Sequence, residues 1–497
     1  MIKKITFAVA LALTSQANAA TGPSSSASPY VTSTASGWDV TSLLTVGDSV
    51  GDYRMVGIPD GLGAYDNGDN TFTVLMNHEL SPTVGVTRAH GSVGAFVSKW
   101  TVDKTTLAVT AGQDLIQSAS SVNTWNTTTN TWQTGTTAFA RLCSADLPGA
   151  SAFYNSNTGK GYNGRIFMNG EETGAEGRGF AFVATGSAAG KVYETPYLGK
   201  FSWENSVANP YAGDKTVVMG TDDSTPGQVY MYVGNKQTTG NAVEQAGLHS
   251  GNLYGIKTNV ATETTAINGA FTMQQVNPLQ TGANLNTQSN TAGITNFARP
   301  EDGHWADADT FYFVTTGTAA GGSAKLYRTD FTDANDLTLG GTITMVKDSS
   351  TLIGSDGASA RSFDNMTVGE DGTIFIQEDP GNSAYIAKTW SFDPTTGTWT
   401  QILESDRSRF LTGASGFLTQ DGESSGIIDV TDVLGRNDGK RYLLGDMQAH
   451  YATAGELVED GQLYLISQVA PVPETDTSAM LLVGLGLMGF VARLRKL

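Results

Sequence analysis

The chain reads as an all-β protein, and three observations lead there. Long helical periodicity is scarce, short β-branched and aromatic runs recur between clusters of Gly, Asn, Asp and Thr, and one small unit keeps returning. The unit is a turn, four to seven mostly apolar residues, then a carboxylate. It ends at Glu79 in "DNTFTVLMNHE", at Glu171 and Glu172 in "NGRIFMNGEE", and at Asp222 and Asp223 in "GDKTVVMGTDD". It returns at Glu378 and Asp379 in "DGTIFIQED" and at Asp446 in "DGKRYLLGD". Strands that repeatedly feed acids into the segments after their ends suit a β-propeller, where equivalent strands of successive blades open onto one mouth. The copies are irregularly spaced, so loops of different length interrupt the array. A two-sheet sandwich is the other architecture these runs allow, and Asp and Glu are also ordinary turn residues after strands.

Taken from the start, residues 1–20 carry Lys3 and Lys4, an apolar stretch and Ala17-Asn18-Ala19, the layout of a cleavable secretory signal. Residues 21–45 are rich in Ser, Thr and Ala and read as a flexible lead-in, and residues 46–470 form the β body. A second echo runs through that body, an aliphatic-Tyr pair after a small or polar residue, in "GQVYMY", "GNLYGI", "AKLYRT" and "GQLYLI". Residues 471–497 end the chain with Val472-Pro473-Glu474, a Gly-rich apolar segment and a basic end of Arg493, Arg495 and Lys496. That apolar segment is short for a permanent span, which needs roughly 20 residues.

Charge narrows the partners. Five of the 29 basic residues lie in the two end segments and two of the 48 acids leave with the tail, so the body carries 46 acids against 24 bases. Such a surface repels nucleic acid and anionic membranes and suits calcium, which prefers clustered carboxylate oxygens. Cys143 is the single cysteine, so an internal disulfide is excluded. It is a buried small hydrophobe, a link between chains, or a chemically used thiol. Five histidines and no H-E-x-x-H make a His-rich zinc site a poor reading, and no phosphate-binding G-x-x-x-x-G-K-[ST] loop occurs.

Seven stretches resemble the secreted alkaline phosphatases called PhoX, in the family's order. They are "MNHEL" (76–80), "RLCSADL" (141–147), "MNGEE" (168–172), "LGKFSWENSVANP" (198–210), "MGTDDSTPGQVYMYVG" (219–234), "FARPEDG" (297–303) and "SFDNMTVGEDGTIFIQED" (362–379). The resemblance implies a six-bladed propeller whose mouth holds two ferric ions and about three calcium ions around a bridging oxygen, the nucleophile toward a phosphomonoester. It places iron on Cys143, Glu204 and Glu301, phosphate on Arg299, and calcium on Glu79, Glu171 or Glu172, Asp222 or Asp223, and Glu378. Arg299 and Glu301 are thus the expected catalytic residues, and a monomer is expected. Here Ser144-Ala145-Asp146 follows the cysteine where the family favours Ser-Gly-Gly, and Trp203 precedes Glu204 where His is usual. A calcium-dependent esterase, lactonase or phytase-like propeller without iron, and a non-catalytic matrix propeller with structural calcium, are the alternatives.

The tail resembles the PEP-CTERM sorting signal of Gram-negative bacteria. That implies recognition by an exosortase, transient anchoring in the inner membrane, and delivery to the cell surface or extracellular matrix. Cleavage predicts a mature mass that lacks the tail from about residue 471 onward. An intact C-terminus on protein recovered from its producing cell would make the segment a plain anchor.

Overall fold

The computed structural model describes residues 19–318 and 322–468. Of the signal expected at 1–20, residues 1–18 lie outside the described residues, as does the tail at 471–497, while Ala19–Thr21 is a short strand. Six mostly antiparallel blades stand around a central channel, the third and fourth joined through their outer strands into one nine-stranded sheet. Their innermost strands are Pro59–Asp66, Leu142–Asp146, Trp203–Ala208, Pro300–Trp305, Phe363–Val368 and Gly422–Asp429. Each packs beside the next, and the sixth returns to the first, so the ring is closed. This is the six-bladed propeller that the resemblance implied.

The apolar runs of the sequence are the second strands, Thr71–His78, Ile166–Glu171, Lys215–Asp222, Thr310–Thr315, Ile374–Glu378 and Arg441–Ala452. They read as nearly continuous hydrophobic stretches because both faces are covered by neighbouring blades. Six of the hydrophobic clusters each lie between two successive blades; Leu75 and Val97 of blade 1, for instance, meet Leu142 and Phe167 of blade 2. The aliphatic-Tyr echoes fall on Val229–Asn235, Asn252–Lys257, Lys325–Phe331 and Glu459–Gln468, third or fourth strands of blades 3, 4 and 6. Loop insertions sit at the blade edges. The largest helix, Gly282–Ala292, lies between blades 3 and 4, opens on Thr281, whose side chain accepts from the Asn284 N–H, and stops at Gly293 in the left-handed region (φ 75°).

The stretch 21–45, expected as a flexible lead-in, is ordered. Val31–Ser33 adds an outer strand to blade 5 and Trp38–Thr45 adds one to blade 6, where it pairs antiparallel with Glu459–Gln468 near the end of the body. Tyr30, Val31, Trp38, Val40, Leu43 and Leu44 are buried. Thr32, Ser33 and Thr41 are half-buried, and the buried Ser42 donates to the Ala27 carbonyl (2.7 Å), so composition concealed the strands. The start of the chain therefore closes the ring. Leu44→Ala, at a fully buried site, is expected to lower unfolding free energy by about 2–4 kcal/mol, read from chemical denaturation. No change would return the segment to a loose lead-in.

Candidate metal centre

One local device is repeated six times at the channel mouth. In every blade, a backbone N–H just past the second strand, or near its end in the sixth blade, reaches back to a carbonyl just before the inner strand. The pairs are Glu79 to Ile58 (2.9 Å), Glu172 to Arg141 (2.9 Å), Asp223 to Ser202 (2.8 Å), Thr316 to Arg299 (3.0 Å), Asp379 to Ser362 (2.9 Å) and His450 to Asp421 (2.9 Å). Immediately afterwards each inner strand slips register against its neighbour, a β-bulge. Bulges re-aim side chains. At or inside these six bulges sit Asp60, Cys143, Glu204, Glu301, Asp364 and Glu423, one from each blade.

The residue two positions earlier carries the cost of the turn. Ile58, Arg141, Arg299 and Ser362 all have positive φ, at 54°, 42°, 61° and 47°. Such backbone is uncommon for residues other than glycine and persists only where the surroundings enforce it.

The two sets of side chains, one from the bulges and one from the segments after the second strands, converge. Four groups have ligand atoms within 4.8 Å of one another: Asp60, Glu79 and Cys143; Cys143, Glu172 and Glu204; Glu204, Glu301 and Asp364; and Asp364, Asp379 and Glu423. Shared members join them into one arc. Gln448 donates to Asp60 (2.8 Å) and Glu79 (2.9 Å), linking blade 6 to blade 1. Ser144 donates to Glu204 (2.5 Å) and to Asn365 (2.8 Å), and Thr316 donates to Glu301.

So many acids in one buried place resist ionisation. Burial first, and then neighbouring carboxylates, push Asp60, Glu301 and Asp364 well above the usual carboxylate range, Glu204 to about 8, Glu172 to about 9 and Asp379 to about 7. Burial and the same acids raise the Cys143 thiol. Glu423 is the exception: burial pushes it up, but His450 outweighs that and holds it low. His450 lies between Glu423 (3.3 Å) and Glu459 (2.7 Å), and these partners overcome its burial to raise it to about 11.

Three cationic side chains touch the arc among the described residues. Arg299 grips Asp223 through two bonds of 2.7 Å and meets Glu301 at 3.1 Å. Arg141 meets Glu79 at 2.7 Å and Glu172; His450 is the third. They leave the acids far from neutralised. Buried carboxylate oxygens in this number suit hard cations, and a thiol among them suits a transition metal such as iron. The donor set fits a metal centre.

The expected residues divide cleanly. Cys143, Glu204, Glu301, Glu79 and Glu172 are in the arc, Arg299 stands over it, and Asp223 lies beneath Arg299. Glu171, Asp222 and Glu378 are elsewhere. Glu171 faces Arg178 (2.6 and 2.7 Å), Asp222 accepts from the Ser202 N–H (3.2 Å) and the Ser224 hydroxyl (2.6 Å), and Glu378 accepts from Trp390 (3.0 Å), Tyr385 (3.2 Å) and the Lys388 N–H (2.9 Å). In "GEE", "TDD" and "QED" the first acid turns into the blade and the second into the mouth, as alternate side chains of an extended chain must. Asp60, Asp364 and Glu423 join the arc without having been expected, and Asp379, read only as a strand-ending acid, joins it in place of Glu378. Asp446 is mid-strand and buried. His304 lines a separate cavity of about 790 Å³ where the inner strands finish, at the channel's other end.

Comparison with known families follows this geometry. Residues 185–409 match the model of the family described as alkaline phosphatase PhoX. The matched stretch is a little under half of the chain. The match spans Glu204, Glu301, Asp364 and Asp379, while Asp60, Cys143 and Glu423 lie outside it. Residues 469–496 match the PEP-CTERM protein-sorting motif, which marks the chain as exported. Among solved structures, PhoX of Pseudomonas fluorescens in complex with vanadate, a transition state analogue, is similar with TM-score 0.60 at 12% identity, over 89% of this chain and 97% of that one. At that identity the likeness speaks for the fold. A 6-phosphogluconolactonase candidate from Bacteroides uniformis matches at TM-score 0.31 and 12% identity, over 68% of this chain and 82% of that one, too loosely to carry weight. No curated protein matches the chain. Among the described residues, no helix is long and apolar enough to cross a membrane.

Acids raised in the folded state bind protons that the unfolded chain has already released. The metal-free protein therefore has the full stabilising contribution of these raised acids only below about pH 4.5, the ordinary carboxylate value. It should lose stability as pH rises toward 8 to 9, through the raised values of Glu204 and Glu172. Thermal unfolding of chelator-treated protein from pH 5 to 9 reads this, and added divalent cation should restore stability most at the alkaline end. A flat metal-free profile would mean the arc is not strained by its own charge.

Proposed function

We propose that this exported phosphatase is a metal-dependent phosphomonoester hydrolase whose centre is the arc at the channel mouth. The observation that carries the reading is the convergence of Asp60, Cys143, Glu204, Glu301, Asp364 and Glu423 from six different blades, with Arg299 standing beside Glu301 at 3.1 Å. Cys143, Glu204 and Glu301 would hold iron and the remaining acids calcium, in the two-iron and about three-calcium complement that the family resemblance suggests. Cations held there supply charge neutralisation at phosphoryl oxygens and activation of an oxygen nucleophile.

The chain's own residues do the rest. Arg299 offers a planar fork that can grip two phosphoryl oxygens at once, and Asp223 fixes that fork by its own two bonds. Ser144 and Thr316 hold Glu204 and Glu301 in place, so that the carboxylates are set before a ligand arrives. His450 keeps Glu423 ionised. The sorting motif supports release of the tail by an exosortase and display at the cell surface or in the matrix, with the protein acting as a monomer.

Elemental analysis of the purified protein, paired with a panel of phosphomonoesters and phosphodiesters supplied with calcium and iron, tests the reading. Turnover of monoesters is expected, with Cys143→Ala and Glu301→Ala each lowering it by about 100-fold or more. Calcium without iron would leave a calcium-only enzyme. No turnover across the panel would favour a binding propeller.

A further inference from the structure

We propose that Arg141 is a second phosphate-gripping arm, the counterpart of Arg299 two blades away. The inference rests on the phosphatase reading above and extends it to a residue that reading does not use.

The equivalence is positional. Arg141 stands two residues before Cys143, and Arg299 two residues before Glu301. Each has its carbonyl bound by the N–H that follows the second strand of its own blade, from Glu172 (2.9 Å) and Thr316 (3.0 Å) respectively. Each has positive φ, 42° and 61°. The same backbone turn therefore aims both side chains over the mouth. The four other positions of this kind hold Ile58, Ser202, Ser362 and Asp421. Of the six, only these two carry a permanent cation.

Their surroundings match as well. Arg299 lies over Asp223 and Glu301, whose side chains are 5% and 2% exposed, and is itself 34% exposed. Arg141 lies over Glu79 and Glu172, 5% and 15% exposed, and is itself 46% exposed. In both places the acids are below and part of the guanidinium faces solvent. Glu172 and Glu204 belong to one group of ligand atoms within 4.8 Å, and Glu204 and Glu301 to the next. The two arginines therefore flank Glu204 from opposite sides. A tetrahedral dianion entering between them meets a fork from each. Cations on Glu79, Glu172 and Glu301 would compete for the carboxylate oxygens that the guanidiniums now hold, leaving more N–H groups for the entering anion. As an ion pair alone, so exposed an arginine would contribute little to stability.

The test reads phosphate binding directly, apart from turnover. Metal-loaded wild type, Arg141→Gln and Arg141→Lys are titrated with inorganic phosphate by calorimetry, and kcat and KM are measured for one phosphomonoester. Metal content and thermal unfolding are checked for each. Arg141→Gln is expected to weaken phosphate binding 10- to 100-fold and to raise KM by a similar factor, with a smaller change in kcat and unchanged metal content. Arg141→Lys should recover only part of this, since an ammonium keeps the charge and loses the fork. Equal phosphate affinity in wild type and Arg141→Gln would overturn the proposal, as would a loss that tracks lost metal, which would make Arg141 a counter-charge for Glu79 and Glu172. Phosphate binding that depends on Arg141 in a protein without turnover would uphold this inference while removing the phosphatase reading. Wild type that binds no phosphate would end both.

Discussion

The centre depends on a single backbone hydrogen bond made six times, from a residue at the mouth end of each second strand to the residue two places before each inner-strand ligand. Without it, the inner strand would continue in regular pairing, and its first side chains would alternate into and out of the channel. The bond instead fixes where the strand is entered, the bulge absorbs the extra length, and one side chain per blade is turned to the axis. Ligand identity is then free to vary. Aspartate, thiol and glutamate occupy equivalent places, and Thr316 and His450 occupy places where three other blades have an acid facing the mouth and blade 1 has Glu79.

That separation of scaffold from ligand explains what could be read from the chain. Second strands announce themselves as apolar runs between turns, because blade-on-blade packing buries both of their faces, and the acids that follow them were visible for the same reason. Choosing between adjacent acids needed the alternation of an extended chain: Glu172, Asp223 and Asp379 face the mouth, and Glu171, Asp222 and Glu378 serve the blade. Asp60, Asp364 and Glu423 lie in inner strands made of short, mixed, Gly- and Ser-containing segments such as "IPDGLG" and "DGESSG", with no run to mark them. The sixfold correspondence with Glu204 and Glu301 identifies them, and it becomes visible only when the blades are aligned through their hydrogen bonds. The Ser- and Thr-rich start was misleading because its polar side chains are taken up within the fold, Ser42 and Thr45 being buried in hydrogen bonds.

Trp203 shows how the blade interior adapts to a substitution beside the centre. It is buried and stacked on Phe201 at 3.9 Å, and a side-chain carbon on Gly170 or Gly220 would come within 2.2 or 2.8 Å of it. Gly220 thus leaves room for the indole ring, while Gly170 lies against the Trp203 Cβ that any side chain there would carry. The large ring takes up the space between blades 2 and 3 and leaves the glutamate nothing to do except face the mouth.

Ring closure has a consequence for when the centre exists. Asp60 comes from the first blade and Glu423 from the last, and Gln448 reaches across that junction to Asp60 at 2.8 Å. The strand Trp38–Thr45 must meet Glu459–Gln468 before the junction is shut. Contacts separated by some 400 residues are among the last that a chain can make, and here they lie next to the ligands. A nascent chain, or one cut short at either end, holds individual acids but no mouth. Assembly of the cation site is thereby tied to completion of the whole polypeptide, and whichever compartment sees the final strand dock is the one that must provide the ions.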